Sequence, residues 1–224
     1  MKKKSLQIPF YCVNSEVLWR GTDAVNNVIP IDQKIAQLNL DAIFTARPAD
    51  VPLIKAATNR IHVGVVYEDS MRNRLEKIKT DGADVLILDD IDQADTVTTL
   101  DKIFEEANAL GFIILARVTN PLKLEKKLLN QIQIIKWKTD QVGAKDNLTE
   151  KEIKAAVRTL KNENPNLSII YGAKKISTSV VLNSLLKGMD GVGEYSGCKN
   201  TYKDFGKMLY ALNDYKKVQT FINS

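Results

Sequence analysis

Leu167–Lys175 reads LSIIYGAKK, and Asp190–Gly197 reads DGVGEYSG. The residues between these two segments have a helical pattern that runs to Leu186 and stops before Gly188. Each segment begins with a short apolar run bounded by turn residues, as strands do. The sequence therefore predicts two consecutive strand–loop–helix units of a parallel sheet. Each strand ends in a loop that can offer backbone N–H groups to an anion.

The same kind of unit recurs along the whole chain. Short apolar runs are each followed by a helix-like pattern, and their uninterrupted apolar character is typical of strands covered on both faces, as in parallel sheets. The predicted strands are Ile8–Val13, Ala42–Thr45, Ile61–Val66, Val85–Leu88, Phe112–Val118, Ile132–Ile135, Leu167–Tyr171 and Gly191–Glu194.

The segments between the strands carry helix signals. One apolar stripe has helical spacing and consists of Ile103, Phe104, Ala107 and Leu110. Gly111 follows this stripe as a stop signal. Thr149 and Glu152 have the spacing of a capping box at a helix start. Pro121 is expected to open another helix, where its missing N–H is harmless.

Eight such units in 224 residues average about 28 residues each, which is short but sufficient for a (β/α)₈ barrel. An open doubly wound sheet would favour a glycine-rich turn after the first strand. Here that turn is Asn14–Val17, and no glycine occurs before Gly21. We therefore predict an α/β protein with a single (β/α)₈ barrel domain that spans residues 1–224.

Composition excludes several classes of protein. A hydrophobic content of 44% and a charged content of 26% are ordinary for a soluble globular protein. No apolar run is long enough for a membrane span, and the basic start is not a signal peptide. Cys12 and Cys198 form no disulfide framework, which favours a cytoplasmic protein. The net charge is +5, but the lysines are interspersed with carboxylates, so we do not expect nucleic-acid binding.

Several segments resemble the triosephosphate isomerase family, especially its shorter archaeal form. Their order along the chain follows that of the family's strands and loops. The clearer segments are Gly82–Leu88, Val142–Lys145, Asn164–Gly172, Asp190–Val192 and Ser196–Gly197, and the weaker ones are Pro9–Asn14 and Phe44–Pro48. The resemblance implies proton transfer next to a carbonyl, with a glutamate base, a neutral histidine and a lysine. It implies no cofactor and no metal ion.

The resemblance also shows that the family's chemical groups are replaced. The matching catalytic positions are Asn14, Glu16, Asp90 and Trp137. The asparagine is retained, but Glu16 replaces the lysine and Asp90 replaces the histidine. The glutamate falls on Trp137, or on Lys136 if the register slips by one residue. His62 is the only histidine and belongs to the third strand, so it cannot replace the missing one.

The family's phosphate site is altered rather than lost. The resemblance places phosphate-binding groups on Gly143, Lys174, Ser196 and Gly197. Lysine can hold a phosphate as a point charge, and Ser196 and Gly197 can present N–H groups at a helix start. In the alternative interpretation, Lys174 is a solvated turn residue and Tyr195 fills the former phosphate pocket.

Four carboxylates are expected near the carboxyl ends of strands, where barrel active sites form. They are Glu16, Asp89, Asp90 and Asp92. Such carboxylates can share a proton or hold a divalent cation. The alternative is that they cap helices or pair with neighbouring cations, of which Arg117, Lys136 and Lys138 are candidates. Trp137 can stack on a ligand or plug an emptied pocket.

The leading hypothesis is a barrel that has lost triose phosphate isomerisation and still binds a small phosphorylated or anionic metabolite. One alternative is a divergent sugar-phosphate isomerase that uses Asp90 and Glu16 as acid–base groups. Another is an interaction scaffold without catalysis. The short segment between Tyr67 and Met71 replaces the long third loop of the family's dimer, so we expect a monomer or a different contact between subunits.

Overall fold

The computed structural model describes residues 10–14, 41–58, 61–93, 97–138, 148–173 and 177–194, with short helical pieces at 210–211, 213–214 and 217–218. In this part of the chain, parallel strands pair in sequence order and the last pairs with the first, which closes a (β/α)₈ barrel. The strands are β1 (Phe10–Asn14), β2 (Ala42–Thr45), β3 (His62–Val66), β4 (Val85–Asp89), β5 (Ile113–Val118), β6 (Ile134–Lys138), β7 (Ser168–Ala173) and β8 (Gly191–Glu194). The predicted fold is confirmed.

Helices follow most of the strands. They are α1 (Asp50–Ala57), α2 (Leu75–Thr80), α3 (Val97–Ala109), α4 (Lys126–Leu129), α5 (Glu150–Glu163) and α6 (Thr178–Leu186). The predicted capping box is present, since Glu152 N–H donates to Thr149 Oγ1 while Thr149 N–H donates to the Glu152 carboxylate. Gly111 has a φ of +72°, which suits a glycine after a helix. Pro121 opens a 3₁₀ turn, Pro121–Lys123, rather than a long helix.

Alternation along the strands separates two apolar layers. One side of each strand faces the barrel interior and the other faces the helices, because successive side chains point to opposite faces. The interior cluster consists of Ala42, Phe44, Val85, Ile87, Leu115, Ile134 and Ile170. The outer cluster is larger and includes Ile43, Leu86, Ala116, Ile135 and Ile169, which alternate with the interior residues along the same strands.

A glycine in β3 makes room for the largest side chain of the interior cluster. A Cβ atom at Gly64 would lie 2.5 Å from Phe44 Cδ1 and 3.1 Å from Ile87 Cδ1. The Phe44 ring therefore occupies the space where any other residue at position 64 would place its side chain. This close contact fixes how β2, β3 and β4 pack inside the barrel.

Strand β6 departs from the prediction. The expected strand Ile132–Ile135 is in fact Ile134–Lys138, so it begins later and includes two lysines and a tryptophan. The prediction stopped at Ile135 because charged residues usually lie outside buried strands. In a barrel, however, a strand can carry charges near its carboxyl end, where the interior opens toward the site.

The third βα connection is as short as the sequence predicts. Only Tyr67 and Glu68 separate β3 from the 3₁₀ helix Asp69–Arg74, which continues into α2. Among the described residues, no helix has the length and apolar character needed to cross a bilayer.

Candidate functional site

Three charged side chains lie side by side at the carboxyl ends of β4, β5 and β6. Asp89 is in register with Arg117, and Arg117 is in register with Lys136. Arg117 pairs with the Asp89 carboxylate through both Nε and Nη2, in a bidentate arrangement. Arg117 and Lys136 are only 3% and 1% exposed. The alternation of β5 and β6 places them on the interior face, above Leu115 and Ile134.

A second ion pair lies one step higher on the same rim. Lys138 is buried, and its Nζ lies 2.5 Å from Asp90 Oδ1. Lys138 shares the interior face with Lys136, two residues earlier. Its partner on β7 is Gly172, which is in turn in register with Gly193 of β8, so these two strands offer no side chain there. We call Asp89, Asp90, Arg117, Lys136 and Lys138 the mouth cluster.

Lys136 spans the barrel interior. Its Nζ lies 5.8 Å from the centroid of the Phe44 ring, which belongs to β2 on the other side of the barrel. This distance is within the range of a cation–π contact. The ammonium group therefore lies next to the apolar interior cluster, toward the carboxyl ends of the strands.

Asp90 and Asp92 shape the loop that follows β4. Asp90 has a φ of +50°, and its N–H donates to the Arg117 carbonyl oxygen at 2.9 Å. Asp92 Oδ2 accepts hydrogen bonds from the N–H groups of Thr119 and Asn120, at 3.0 and 2.7 Å. The loops after β4 and β5 are thus tied together. The alternative in which strand-end aspartates pair with neighbouring cations is confirmed for Asp89 and Asp90, whereas Asp92 accepts N–H groups of a loop rather than capping a helix.

The charges of the mouth cluster favour an anionic ligand. The cluster brings three cationic side chains to the barrel mouth, and Asp89 and Asp90 hold Arg117 and Lys138 in place through ion pairs. Side chains held in place by strands and ion pairs are pre-organised, so a bound anion needs little rearrangement. Within this arrangement, Asp90 Oδ1 accepts a hydrogen bond from Lys138.

Trp137 does not lie in the mouth. Its side chain is 1% exposed and belongs to the outer cluster, between the strands and the helices. Its Nε1–H donates to the Thr119 carbonyl oxygen at 2.9 Å. The interpretation in which Trp137 plugs an emptied pocket is corrected, because alternation turns this residue away from the interior. Lys136, the preceding residue of β6, lies on the interior face instead.

Most of the other predicted site residues lie outside the described residues. These are Glu16, Gly143, Lys174, Ser196 and Gly197, together with Tyr195. Asn14 is described by its backbone, which pairs with Phe44 at the end of β1. Of the predicted catalytic positions, the structure therefore places Asp90 in the mouth cluster and Trp137 behind it. Trp137 and Asp90 therefore do not share the mouth, and the position of Glu16 lies outside the described residues.

His62 belongs to the third strand, as the sequence predicts, and lies at the opposite end of the barrel from the mouth cluster. His62 Nδ1 lies 3.6 Å from Asp84 Oδ2, and Lys55 Nζ lies 2.7 Å from the same oxygen. Burial acts to raise the pKa of Asp84, but hydrogen bonds from His62 and Lys55 outweigh it and hold that pKa far below its usual range. This cluster lies at the amino ends of β3 and β4, where barrel residues act in stability rather than catalysis.

From the sequence, Arg117 and Lys138 are predicted only as pairing partners and Lys136 also as the alternative to Trp137, so the three are not grouped as one site. A signal was present, since Ile113, Leu115 and Arg117 alternate on one strand. Ile134, Lys136 and Lys138 alternate in the same way on the next. Each series starts apolar and ends charged, which is typical of an interior face that reaches a site. Among the described residues, no group of three or more His, Cys, Asp or Glu side chains could hold a metal ion.

Comparisons with known proteins support the fold. No protein-family model matches the chain, and no curated protein matches its sequence. Solved structures resemble it at low sequence identity. The N-acetylmannosamine-6-phosphate 2-epimerase from Clostridium perfringens has a TM-score of 0.60 at 11% identity, with 92% of this chain and 93% of that one covered. A thiamine phosphate pyrophosphorylase from Pyrococcus furiosus has a TM-score of 0.58 at 12% identity, with 95% and 98% covered.

A third similar structure is a prophage protein of the dihydrodipicolinic acid synthase family from E. coli K12, with pyruvate bound. Its TM-score is 0.56 at 14% identity, and the likeness covers 94% of this chain and 81% of that one. At such identities the likeness shows the barrel fold alone. The family resemblance and the site assignments from the sequence remain predictions.

Proposed function

We propose that this protein binds a small phosphorylated or otherwise anionic metabolite at the mouth of its barrel and does not isomerise triose phosphates. The observation that carries the proposal is the mouth cluster, in which Arg117, Lys136 and Lys138 bring three buried cations to the interior face. Guanidinium and ammonium groups are the side-chain donors that proteins use to hold phosphate and carboxylate groups. The mouth cluster therefore supplies the donors that an anionic ligand needs.

The chemistry of the replaced positions supports the loss of isomerase activity. The mechanism of the triosephosphate isomerase family needs a carboxylate base over the substrate carbon and a neutral donor at the carbonyl. Lys136 lies inside the barrel and Trp137 behind it, and neither is a carboxylate. Asp90 accepts hydrogen bonds from Lys138. Removal of a positioned acid or base lowers the rate by about 10²–10⁴, so ordinary turnover is not expected.

The binding half of the proposal is tested by thermal shift with inorganic phosphate and phosphoglycolate. A ligand at about 100 times its Kd stabilises the folded protein by about 2.7 kcal/mol, which gives a measurable rise in Tm. Lys138→Met should lose most of this rise relative to its own ligand-free Tm. Lys154→Met is the matched control, since Lys154 lies on the exposed face of α5 and pairs with Glu150. The absence of any shift, or an equal shift in Lys138→Met, would refute anion binding at the mouth.

The catalytic half is tested with glyceraldehyde phosphate and an excess of coupling enzyme. We expect no turnover above background. Robust turnover would overturn this half and favour the alternative, a divergent sugar-phosphate isomerase that uses Asp90 and Glu16. That alternative requires solvent deuterium to enter the substrate and the exchange to vanish in Asp90→Asn. If neither binding nor exchange is seen, the interaction scaffold is left as the remaining hypothesis.

A further inference from the structure

A cavity opens beside the barrel, between the segments that follow β2 and β3. Its volume is about 340 Å³, within the range of small-molecule sites. Residues 46–49 line one side, and Glu68, Ser70, Met71 and Arg74 line the other. The mouth cluster is built on β4, β5 and β6, so this cavity uses different strands and different side chains.

Arg47 is held in place at one wall of the cavity. Its Nε donates to Asp50 Oδ2 at 3.1 Å, and its Nη2 lies 3.0 Å from Asp50 Oδ1. Asp50 is itself buried and also accepts a hydrogen bond from Thr45 Oγ1 at 3.0 Å. The side chain of Arg47 is nevertheless 70% exposed, so the other edge of its guanidinium group can donate to a ligand. A donor fixed in advance loses little entropy on binding.

The opposite wall carries two exposed side chains of opposite charge. Glu68 and Arg74 line the same cavity, and in the described part of the chain neither side chain has an ion pair or hydrogen bond. Because these two side chains do not pair with each other, the Glu68 carboxylate can accept a hydrogen bond from a ligand and the Arg74 guanidinium group can donate one. Arg47 and Arg74 both line this space, and their planar guanidinium groups are suited to carboxylate oxygens.

We propose that this cavity binds a small zwitterion of the α-amino acid type. Its carboxylate contacts Arg47 and Arg74, and its ammonium group contacts Glu68. The Ser70 hydroxyl offers a further polar contact, and Met71, which is buried, supplies an apolar surface for the ligand's side chain. A ligand with an anionic group alone would meet the charge of Glu68 without compensation. This proposal does not depend on the function proposed for the mouth.

The test uses the full chain and calorimetric titration with each of the common amino acids in turn. The best binder is then compared with its N-acetyl derivative, which lacks the ammonium group, and with its amide, which lacks the carboxylate. We expect both derivatives to bind at least about tenfold more weakly. Arg74→Met should weaken the amino acid by about tenfold or more, and so should Glu68→Gln. Only Arg74→Met should further weaken the N-acetyl derivative.

Arg72→Met is the matched control, because Arg72 lies on the same 3₁₀ helix as Arg74 but does not line the cavity. It should bind like the wild type, and so should Lys138→Met, which tests the mouth. Arg74→Lys keeps the positive charge and should retain part of the affinity, which distinguishes a lost contact from a folding defect.

The proposal is overturned if no amino acid binds at about 10 mM, or if Arg74→Met and Glu68→Gln leave binding unchanged. Inorganic phosphate that binds equally well and is not weakened by Glu68→Gln also overturns it.

Discussion

Asp90 combines a charge with an unusual backbone conformation at the end of β4. Its φ of +50° lies in the left-handed region, where a Cβ atom approaches the following carbonyl oxygen. Aspartate tolerates this region better than most residues, because its short polar side chain can bond locally. Asp90 therefore both pairs with Lys138 and bends the loop after β4, and few other residues could do both.

We expect Asp90→Ala to be less stable than Asp90→Gly by about 1 kcal/mol, because both lose the pair with Lys138 and only alanine keeps a Cβ at positive φ. Denaturant unfolding of the two variants measures the difference. Asp90→Asn should be at least as stable as Asp90→Ala, since asparagine also tolerates the left-handed region. Equal stabilities for alanine and glycine would show that the bend is not constrained in solution.

Asp84 gives a pH-dependent contribution to stability. Its pKa is lowered in the folded protein, so the unfolded chain binds a proton at a higher pH than the folded chain does. The contribution is complete above the unfolded pKa of about 3.9 and is lost as the pH falls below it. We expect the free energy of unfolding to fall less steeply below pH ~4 in Asp84→Asn than in the wild type. Parallel urea titrations down this pH range provide the measurement, and identical slopes would contradict the assignment.

At the scale of single elements, β3 depends on a residue without a side chain. Gly64→Ala would bring a Cβ within 2.5 Å of the Phe44 ring. Overpacking of this kind destabilises a core by about 1–3 kcal/mol. Phe44→Leu should relieve the clash, so the double variant should be more stable than the sum of the single effects by about 1 kcal/mol. A double-mutant cycle in denaturant measures this coupling, and strict additivity would count against the close packing.

Helix α5 begins at a capping box that should be measurable by substitution. Thr149→Ala removes the oxygen that accepts Glu152 N–H, and we expect a loss of about 1 kcal/mol in unfolding free energy. Thr159→Ala is the control, since Thr159 is exposed in the middle of the same helix. There alanine should be neutral or slightly stabilising, because of its higher helix propensity. Equal losses at the two positions would mean that the cap contributes nothing.

The elements also show how far the sequence could lead. Apolar runs and turn residues predicted every strand of the barrel, because burial on both faces leaves a clear pattern. The site was harder, since a shift of one residue exchanges the two faces of a strand. In β6, Trp137 and Lys136 were both candidates for the same family position, and only the register with β5 and β7 places Lys136 inside. The spacing of residues along the sequence does not determine how β6 is aligned with its neighbouring strands.

At the scale of the whole molecule, the strands form a closed barrel. Strand β8 pairs with β1, so within the described residues every strand of the barrel has two neighbours. An open sheet would fray from its edges, whereas a closed one must break at some pair before any strand can leave. Stability should therefore be shared around the barrel rather than concentrated in one half.

We expect the slowest amide protons of β3, β5 and β7 to exchange with one common free energy, equal to that of global unfolding. Native-state hydrogen exchange at increasing denaturant, read by NMR, tests this. The capping residues of α5 should exchange faster and serve as the internal reference for local opening. Two well-separated exchange energies for the first and second halves of the barrel would show that it unfolds in parts.

Trp137 is a buried fluorescent side chain that lies outside the barrel mouth. Its indole is shielded from water and is anchored to Thr119, in a loop that Asp92 ties to the mouth cluster. Lys136 and Lys138 flank it along the chain but project through the opposite side of the wall. A ligand that displaces either lysine is therefore expected to change the fluorescence of Trp137 without contacting it. Trp19, the other tryptophan of the chain, adds a second signal that a Trp19→Phe variant removes.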